Sequence, residues 1–118
     1  MSKHETTIRL RHMLDYAREA NALAQNKSRE DLESDRLLEL ALIRLVEMIG
    51  EAVSRVPVEE RASYPEIPWP PIVNMRNWLI HGYDEVDKSI LWETITDDLP
   101  PLIVALEKIL SAEGKEHR

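Results

Sequence analysis

The sequence predicts an all-α protein: an antiparallel bundle of four to five helices, with a kinked C-terminal helix, that dimerises through the bundle. Three observations carry this expectation. Apolar residues recur at helical spacing along most of the chain, only three glycines and no strand-like alternation are present, and short polar or proline-rich breaks separate the periodic runs. At 118 residues the chain fits one domain, residues 1–118, and its 43% hydrophobic content can fill a core.

The first helix is expected from about Glu5 to Gln25. Leu10, Leu14, Ala17 and Ala24 mark its buried face, and Ile8, Met13, Ala20 and Leu23 widen it. Asn26-Lys27 ends it, and Ser28 is placed to cap the next segment, with Asp31 in its first turn. The second helix begins at Ser28 or Asp35 and runs to Val56. Leu38, Leu42, Leu45, Ile49, Ala52 and Val56 form one stripe, while Leu37, Leu40, Ile43, Val46 and Met48 spread apolar character around it. Such a helix is either central in its own bundle or faces a second chain as well.

Residues 57–71 carry five prolines and form a connector, with one short turn at Val58-Glu59-Glu60-Arg61. Pro70 and Pro71 suit a helix start, because the first turn has no use for the N–H groups they lack. The third helix then runs to about His81, where Gly82 suits a left-handed cap. Asp87 caps the fourth, whose apolar positions Leu91, Ile95, Leu99, Leu102, Leu106 and Ile109 span Pro100-Pro101, so a kink or two abutting segments is expected there.

The formal charge of −7 describes no general polyanion binder, although a small basic cleft can exist on an acidic protein, and Arg9, Arg11, Arg18, Arg44, Arg55 and Arg76 are candidates to line one. The absence of cysteine removes disulfides and thiolate chemistry. No apolar run approaches a membrane span, and the N-terminus lacks the apolar stretch of a signal peptide, so the expected location is cytoplasmic, with no membrane partner.

The third helix carries the most informative stretch, Arg76-Asn77-Trp78-Leu79-Ile80-His81-Gly82-Tyr83. With Arg76 at 0°, Ile72, Leu79, Ile80 and Val73 fall at about 320°, 300°, 40° and 60°. Arg76 therefore stands within an apolar stripe, where an unpaired guanidinium is costly and requires a carboxylate, a carbonyl or an anion. Asn77 and His81 lie four residues apart at the edge of that stripe. The arginine offers a planar fork for phosphate oxygens, and the histidine exchanges protons near neutral pH. Such a pair suits metal-free cleavage of RNA, whose own 2′-hydroxyl is the nucleophile. A two-fold dimer brings two copies of His81 and Arg76 to one cleft, supplying base and acid together. Asn77 either holds the imidazole or binds a phosphate oxygen. No metal or cofactor is expected: His81 has no second histidine at ligand spacing, and His4, His12 and His117 are isolated or near the termini.

Blander readings stand beside this one. His81 is equally understood as a helix-dipole partner, and Arg76 as the structural partner of Glu51 or Glu47. Trp69, Trp78 and Trp92 either stack bases or fill the core and a dimer interface.

Arg76-x4-His81-x-Tyr83, with Asn77 after the arginine, resembles the R-x4-H-x-Y signature of HepT-like proteins of the HEPN superfamily. Ile49-Gly50-Glu51-Ala52, Trp69, Gly82 and the run from Trp92-Glu93-Thr94-Ile95 to Asp98-Leu99-Pro100 are also similar to that family. The resemblance implies a dimerising helical bundle and a metal-independent ribonuclease with Arg76 and His81 as catalytic residues, supported by Asn77 and Glu51. It further implies a toxin paired with an MNT-type nucleotidyltransferase antitoxin that transfers AMP to Tyr83. The alternative is a non-catalytic nucleotide-binding and dimerisation subunit that acts with a nucleotidyltransferase.

Overall fold

The computed structural model describes residues 2–81 and 87–116, with the side chains at 76, 78–81 and 114–116 outside the described set; Gly82 and Tyr83 fall outside it too. Among the described residues every regular element is helical: α1 (Lys3–Ala24), α2 (Asp31–Ser34), α3 (Arg36–Ser54), α4 (Val58–Arg61), α5 (Trp69–His81), α6 (Lys88–Glu93) and α7 (Leu99–Glu116), with a π-helical turn at Thr94–Asp98. The expected all-α bundle is therefore observed, built on the long helices α1, α3, α5 and α7.

The helices α1, α3 and α6 start where the sequence supplies a cap. The Ser2 hydroxyl accepts from the Glu5 N–H and opens α1 two residues before the expected start. Asn26 closes that helix with φ 62°, a left-handed conformation that asparagine tolerates better than most residues. Of the two starts open for the second helix, the structure takes Asp35, whose carboxylate accepts from the Leu38 N–H. The segment before it reverses the expected roles: the Asp31 carboxylate reaches back to accept from the Ser28 N–H at 2.7 Å. Asp87 caps α6 as expected, accepting from the Ser89 and Ile90 N–H groups.

α3 is the central helix. It packs on α1 and α5, and α1 packs on α7. The antiparallel arrangement shows in the pairing of α1 with α7, where Thr7 meets Glu113 and Arg18 meets Glu107. Leu10, Met13, Leu42, Ile49, Ile72, Met75, Leu102 and Leu106 are sealed from solvent in one core. Truncating one of them to alanine removes burial and leaves a void, a loss of about 2–5 kcal/mol. Ile8 and Leu23, expected on the widened face of α1, are instead exposed on its flanks, at 37% and 39%. On α3, Leu37 and Leu40 are exposed at 80% and 45%, whereas Val46 is sealed in the core and Ile43 packs against it, so only the first turns of the wider apolar face look outward.

At the expected kink the chain widens its turn. Pro100 and Pro101 cannot donate to the carbonyls one turn earlier, and their rings crowd that turn. The Leu99 N–H instead reaches back five residues to the Thr94 carbonyl. The Thr94 and Thr96 hydroxyls donate to the Ile90 and Trp92 carbonyls, both at 2.9 Å, so carbonyls around the irregularity stay satisfied.

Two bridges fix where α6 re-enters the bundle. Lys88 Nζ lies 3.6 Å from the buried Glu39 carboxylate on α3, and Arg29 Nε donates to the Ser89 hydroxyl at 2.8 Å. Glu39 also pairs with Arg36 at 2.7 Å, so its buried charge faces two cations. Among the described residues, no helix is long and apolar enough to cross a membrane.

Candidate functional site

α5 begins with Trp69 and the Pro70-Pro71 pair, as the proline argument requires, and ends at His81. Arg76 and His81 thus share one helix, about 7.5 Å apart along its axis and about 140° apart around it. Their side chains, and all of Tyr83, lie outside the described residues. The described part of α5 places Ile72 and Met75 in the core, with Val73 half-buried and Asn77 exposed. The buried face is therefore centred between Ile72 and Met75, about 70° from the Arg76 position on the wheel. Met75, sealed from solvent, draws the buried face away from the arginine position.

Beside Asn77 the helix α5 forms a cleft with α3. Its volume is about 140 Å³, and it is lined by Gly50, Val53, Ser54, Arg61, Val73 and Asn77. Glu51, the second supporting residue expected from the sequence, is exposed on α3 between Gly50 and Ser54 of this lining. The Ser54 hydroxyl donates to the Glu51 carbonyl at 2.7 Å. Asn77 and the neighbours of Glu51 are therefore brought to one groove by tertiary packing.

The cation of this cleft is Arg61, which was not in the set of arginines considered from sequence. It closes the four-residue turn α4 and is held from three sides. Its Nε donates to the Val56 carbonyl at 3.2 Å, Nη2 approaches the Val53 carbonyl at 3.4 Å, and the guanidinium carbon lies 5.7 Å from the centre of the Trp69 ring. The Trp69 indole N–H is itself directed at the Arg61 and Tyr64 carbonyls, at 3.1 and 3.0 Å. Trp69 is half-buried and serves as a wall for this arginine, while Trp92 packs against the core. Of the arginines proposed from sequence, Arg18 is committed to Glu107 at 2.6 Å on the α1–α7 surface.

A larger cavity of about 540 Å³ lies on the other side of α4, lined by Lys3, Glu60, Ser63, Tyr64, Glu66 and Glu113 among others. The Thr6 hydroxyl donates to Glu60, the Thr7 hydroxyl to Glu113 at 2.8 Å, and the Tyr64 hydroxyl to Glu113 at 3.2 Å. Burial and then the adjacent Glu113 carboxylate push the Tyr64 phenol up to about 12. A third cavity, of about 260 Å³, lies by the π turn and is bordered by Asn74, Glu93, Asp97 and Asp98. Burial, with the charges of Asp97 and Glu93, raises the Asp98 carboxyl above its ordinary value. Carboxylates dominate both sites and repel a polyanion. The smaller α3–α5 cleft instead presents a guanidinium and an amide beside the motif helix.

A family model described as "Ribonuclease HepT-like" matches residues 13–109. The chain is 33% identical over 117 residues to "Putative RNase MJ1216" of Methanocaldococcus jannaschii, a match covering 98% of this chain and 97% of that one. It is 41% identical over 80 residues to "Probable ribonuclease HepT" of Thermococcus cleftensis, covering 68% and 73% of the two chains. "Putative RNase TTE0752" of Caldanaerobacter subterraneus subsp. tengcongensis is 42% identical over 84 residues, covering 71% of this chain and 75% of that one. No solved structure gives a significant match.

Proposed function

The chain belongs to the ribonuclease HepT-like family, and from that membership we propose that it is a metal-independent endoribonuclease, the toxin of a toxin–antitoxin pair. The observation that carries the reading is the co-location of Arg76 and His81 on one helix, α5, in a chain whose relatives are named as ribonucleases.

In the proposed reaction His81 takes the proton of an RNA 2′-hydroxyl, and the 2′-oxygen attacks the adjacent phosphorus. Arg76 stabilises the charge that develops on the phosphorane oxygens. The bond to the 5′-oxygen then breaks, and that oxygen takes a proton from the partner subunit's His81. The products are a 2′,3′-cyclic phosphate and a 5′-hydroxyl. The second histidine requires a two-fold dimer. The exposed Leu37 and Leu40 lie on α3 either side of Glu39, whose bridge to Lys88 ties that face to the chain just beyond the motif, and they support such an interface.

Control by an MNT-type nucleotidyltransferase is proposed with it, on the resemblance of the Arg76-x4-His81-x-Tyr83 motif. The Tyr83 hydroxyl attacks the α-phosphorus of ATP and pyrophosphate leaves. The attached AMP places bulk and a negative charge two residues beyond His81, where it competes with RNA phosphate for Arg76.

Incubation of cellular RNA with the purified protein tests the proposal. Cleavage is expected with wild type, and a 10²–10⁴-fold loss of rate with His81→Ala or Arg76→Ala at unchanged fold. Equal cleavage by all three proteins rejects it. Saturable nucleotide binding without cleavage points instead to the non-catalytic subunit. An unchanged mass of Tyr83 peptides after exposure to the partner enzyme and ATP rejects the mode of control.

A further inference from the structure

We propose that Arg61 and Asn77 form a second phosphate subsite, which holds the RNA backbone one nucleotide away from the scissile bond. The proposal rests on the ribonuclease reading for the position of that bond, but the subsite itself is argued from the cleft. Arg61 has its Nε and one Nη2 proton directed at carbonyls, and its guanidinium carbon lies over the Trp69 ring, which together orient the fork. The Nη1 edge is left to a ligand. Among the described residues no carboxylate forms an ion pair with Arg61. A guanidinium held by carbonyls and an indole keeps its full charge for an anion, whereas one in a salt bridge has already spent it.

The cleft in front of it has the right scale. Its 140 Å³ is smaller than the roughly 300–1,000 Å³ of pockets that engulf a whole small molecule, so it accepts part of a chain and not a free ligand. Gly50 contributes to the lining from the buried side of α3. A glycine inside a helix costs about 1 kcal/mol relative to alanine, and here any side chain would project into the space shared with α5. Asn77 supplies an exposed amide on the opposite wall, on the residue next to Arg76 and one helical turn before His81. About 6 Å of helix axis separates positions 77 and 81, within the reach of one nucleotide. A strand gripped at Arg61 and Asn77 therefore presents its neighbouring phosphate to the motif end of α5. Elsewhere the protein is acidic, and this subsite explains how a chain of charge −7 holds RNA.

Binding and cleavage are measured separately. A 2′-O-methyl RNA oligonucleotide, which cannot be cleaved, is titrated at several salt concentrations. Arg61→Met is expected to bind at least ten-fold more weakly than wild type, with the slope of log K against log salt reduced by about 0.7, one phosphate contact on a single strand. Arg61→Lys is expected to recover the slope but not the full affinity. Because Arg61 also holds the end of α3, Ser54→Asp serves as the second variant: it leaves those bonds in place, puts a negative charge in the cleft and is expected to weaken binding similarly. In cleavage assays Arg61→Met is expected to raise KM on a trinucleotide, which has a flanking phosphate, and to match wild type on a dinucleotide, which has only the scissile one. Wild-type binding and slope in both Arg61→Met and Ser54→Asp, or an equal KM penalty on both substrates, overturns the subsite. Slope changes as expected in a protein that cleaves nothing leave the subsite standing and remove the nuclease reading.

Discussion

Glu60 and Arg61 are neighbours in a four-residue helix, yet they serve opposite kinds of site. Glu60 faces α1, accepts from Thr6, and belongs to a seam in which Glu113 accepts from both Thr7 and Tyr64. Arg61 faces the α3–α5 cleft, is positioned by carbonyls and an indole, and meets no described carboxylate. On the first side polar groups are matched to each other, which joins α1, α7 and the connector. On the second side a charge is oriented but left unneutralised, as a binding site for an external anion requires. Removing a member of the seam should therefore cost stability and leave chemistry intact, whereas a negative charge placed in the cleft, as in Ser54→Asp, should weaken RNA binding and leave the seam intact.

The largest effect that breaks this contrast is expected at Glu113, which is only 8% exposed. Glu113→Ala leaves the Tyr64 hydroxyl without its acceptor and the Thr7 hydroxyl with only the Lys3 carbonyl, and should lower unfolding free energy by about 1–3 kcal/mol in urea titrations. The cleavage rate well below the midpoint should equal that of wild type. A stable variant with lost activity would invert the assignment of the two regions.

A pH measurement sharpens the same point. The Tyr64 phenol ordinarily titrates at 10.0 and in the folded protein at about 12. Between those values the unfolded chain loses this proton while the folded chain keeps it, so stability contributed by Tyr64 is complete below pH 10 and declines as pH rises toward 12. Tyr64→Phe should flatten that part of the stability profile, as followed by circular dichroism. An identical decline in the variant would assign it to other groups.

The smallest effect is expected at the π turn, where burial, Asp97 and Glu93 raise the Asp98 carboxyl. Its ionised form is disfavoured in the fold, so Asp98→Asn should slightly stabilise the protein at neutral pH. The gain should fade as pH falls through the raised carboxyl value toward the ordinary 3.8, and below 3.8 it is gone because wild type is protonated in both states. A destabilised variant at neutral pH would contradict the sign.

Features written in adjacent residues were legible in the sequence. Asp35 and Asp87 announce their helices because capping depends only on the next few N–H groups, and Pro70-Pro71 and Pro100-Pro101 mark helix starts through a missing donor. Local chemistry was less decisive at Ser28, where Asp31 is the acceptor; at Pro100-Pro101, where a kink or two abutting segments was expected, α6 and α7 abut through a widened turn. Asn77 and Glu51 were expected near one site, and Asn77 does reach the cleft that Gly50 and Ser54 line around Glu51. Arg61 had no readable signal. Its role depends on the end of α3, a four-residue turn and the first indole of α5 meeting in space, and no periodicity encodes that meeting. The motif itself was legible as a spacing, because Arg76 and His81 share a helix and need only the rise per residue to be related.

The chemistry of the RNA ends tests the central claim most directly. RNA cleaved by the wild-type protein in the presence of EDTA should carry 2′,3′-cyclic phosphate and 5′-hydroxyl ends, and His81→Ala should produce neither. Fragments with 3′-hydroxyl and 5′-phosphate ends, cleavage abolished by EDTA, or undiminished cyclic-phosphate products from His81→Ala would contradict it.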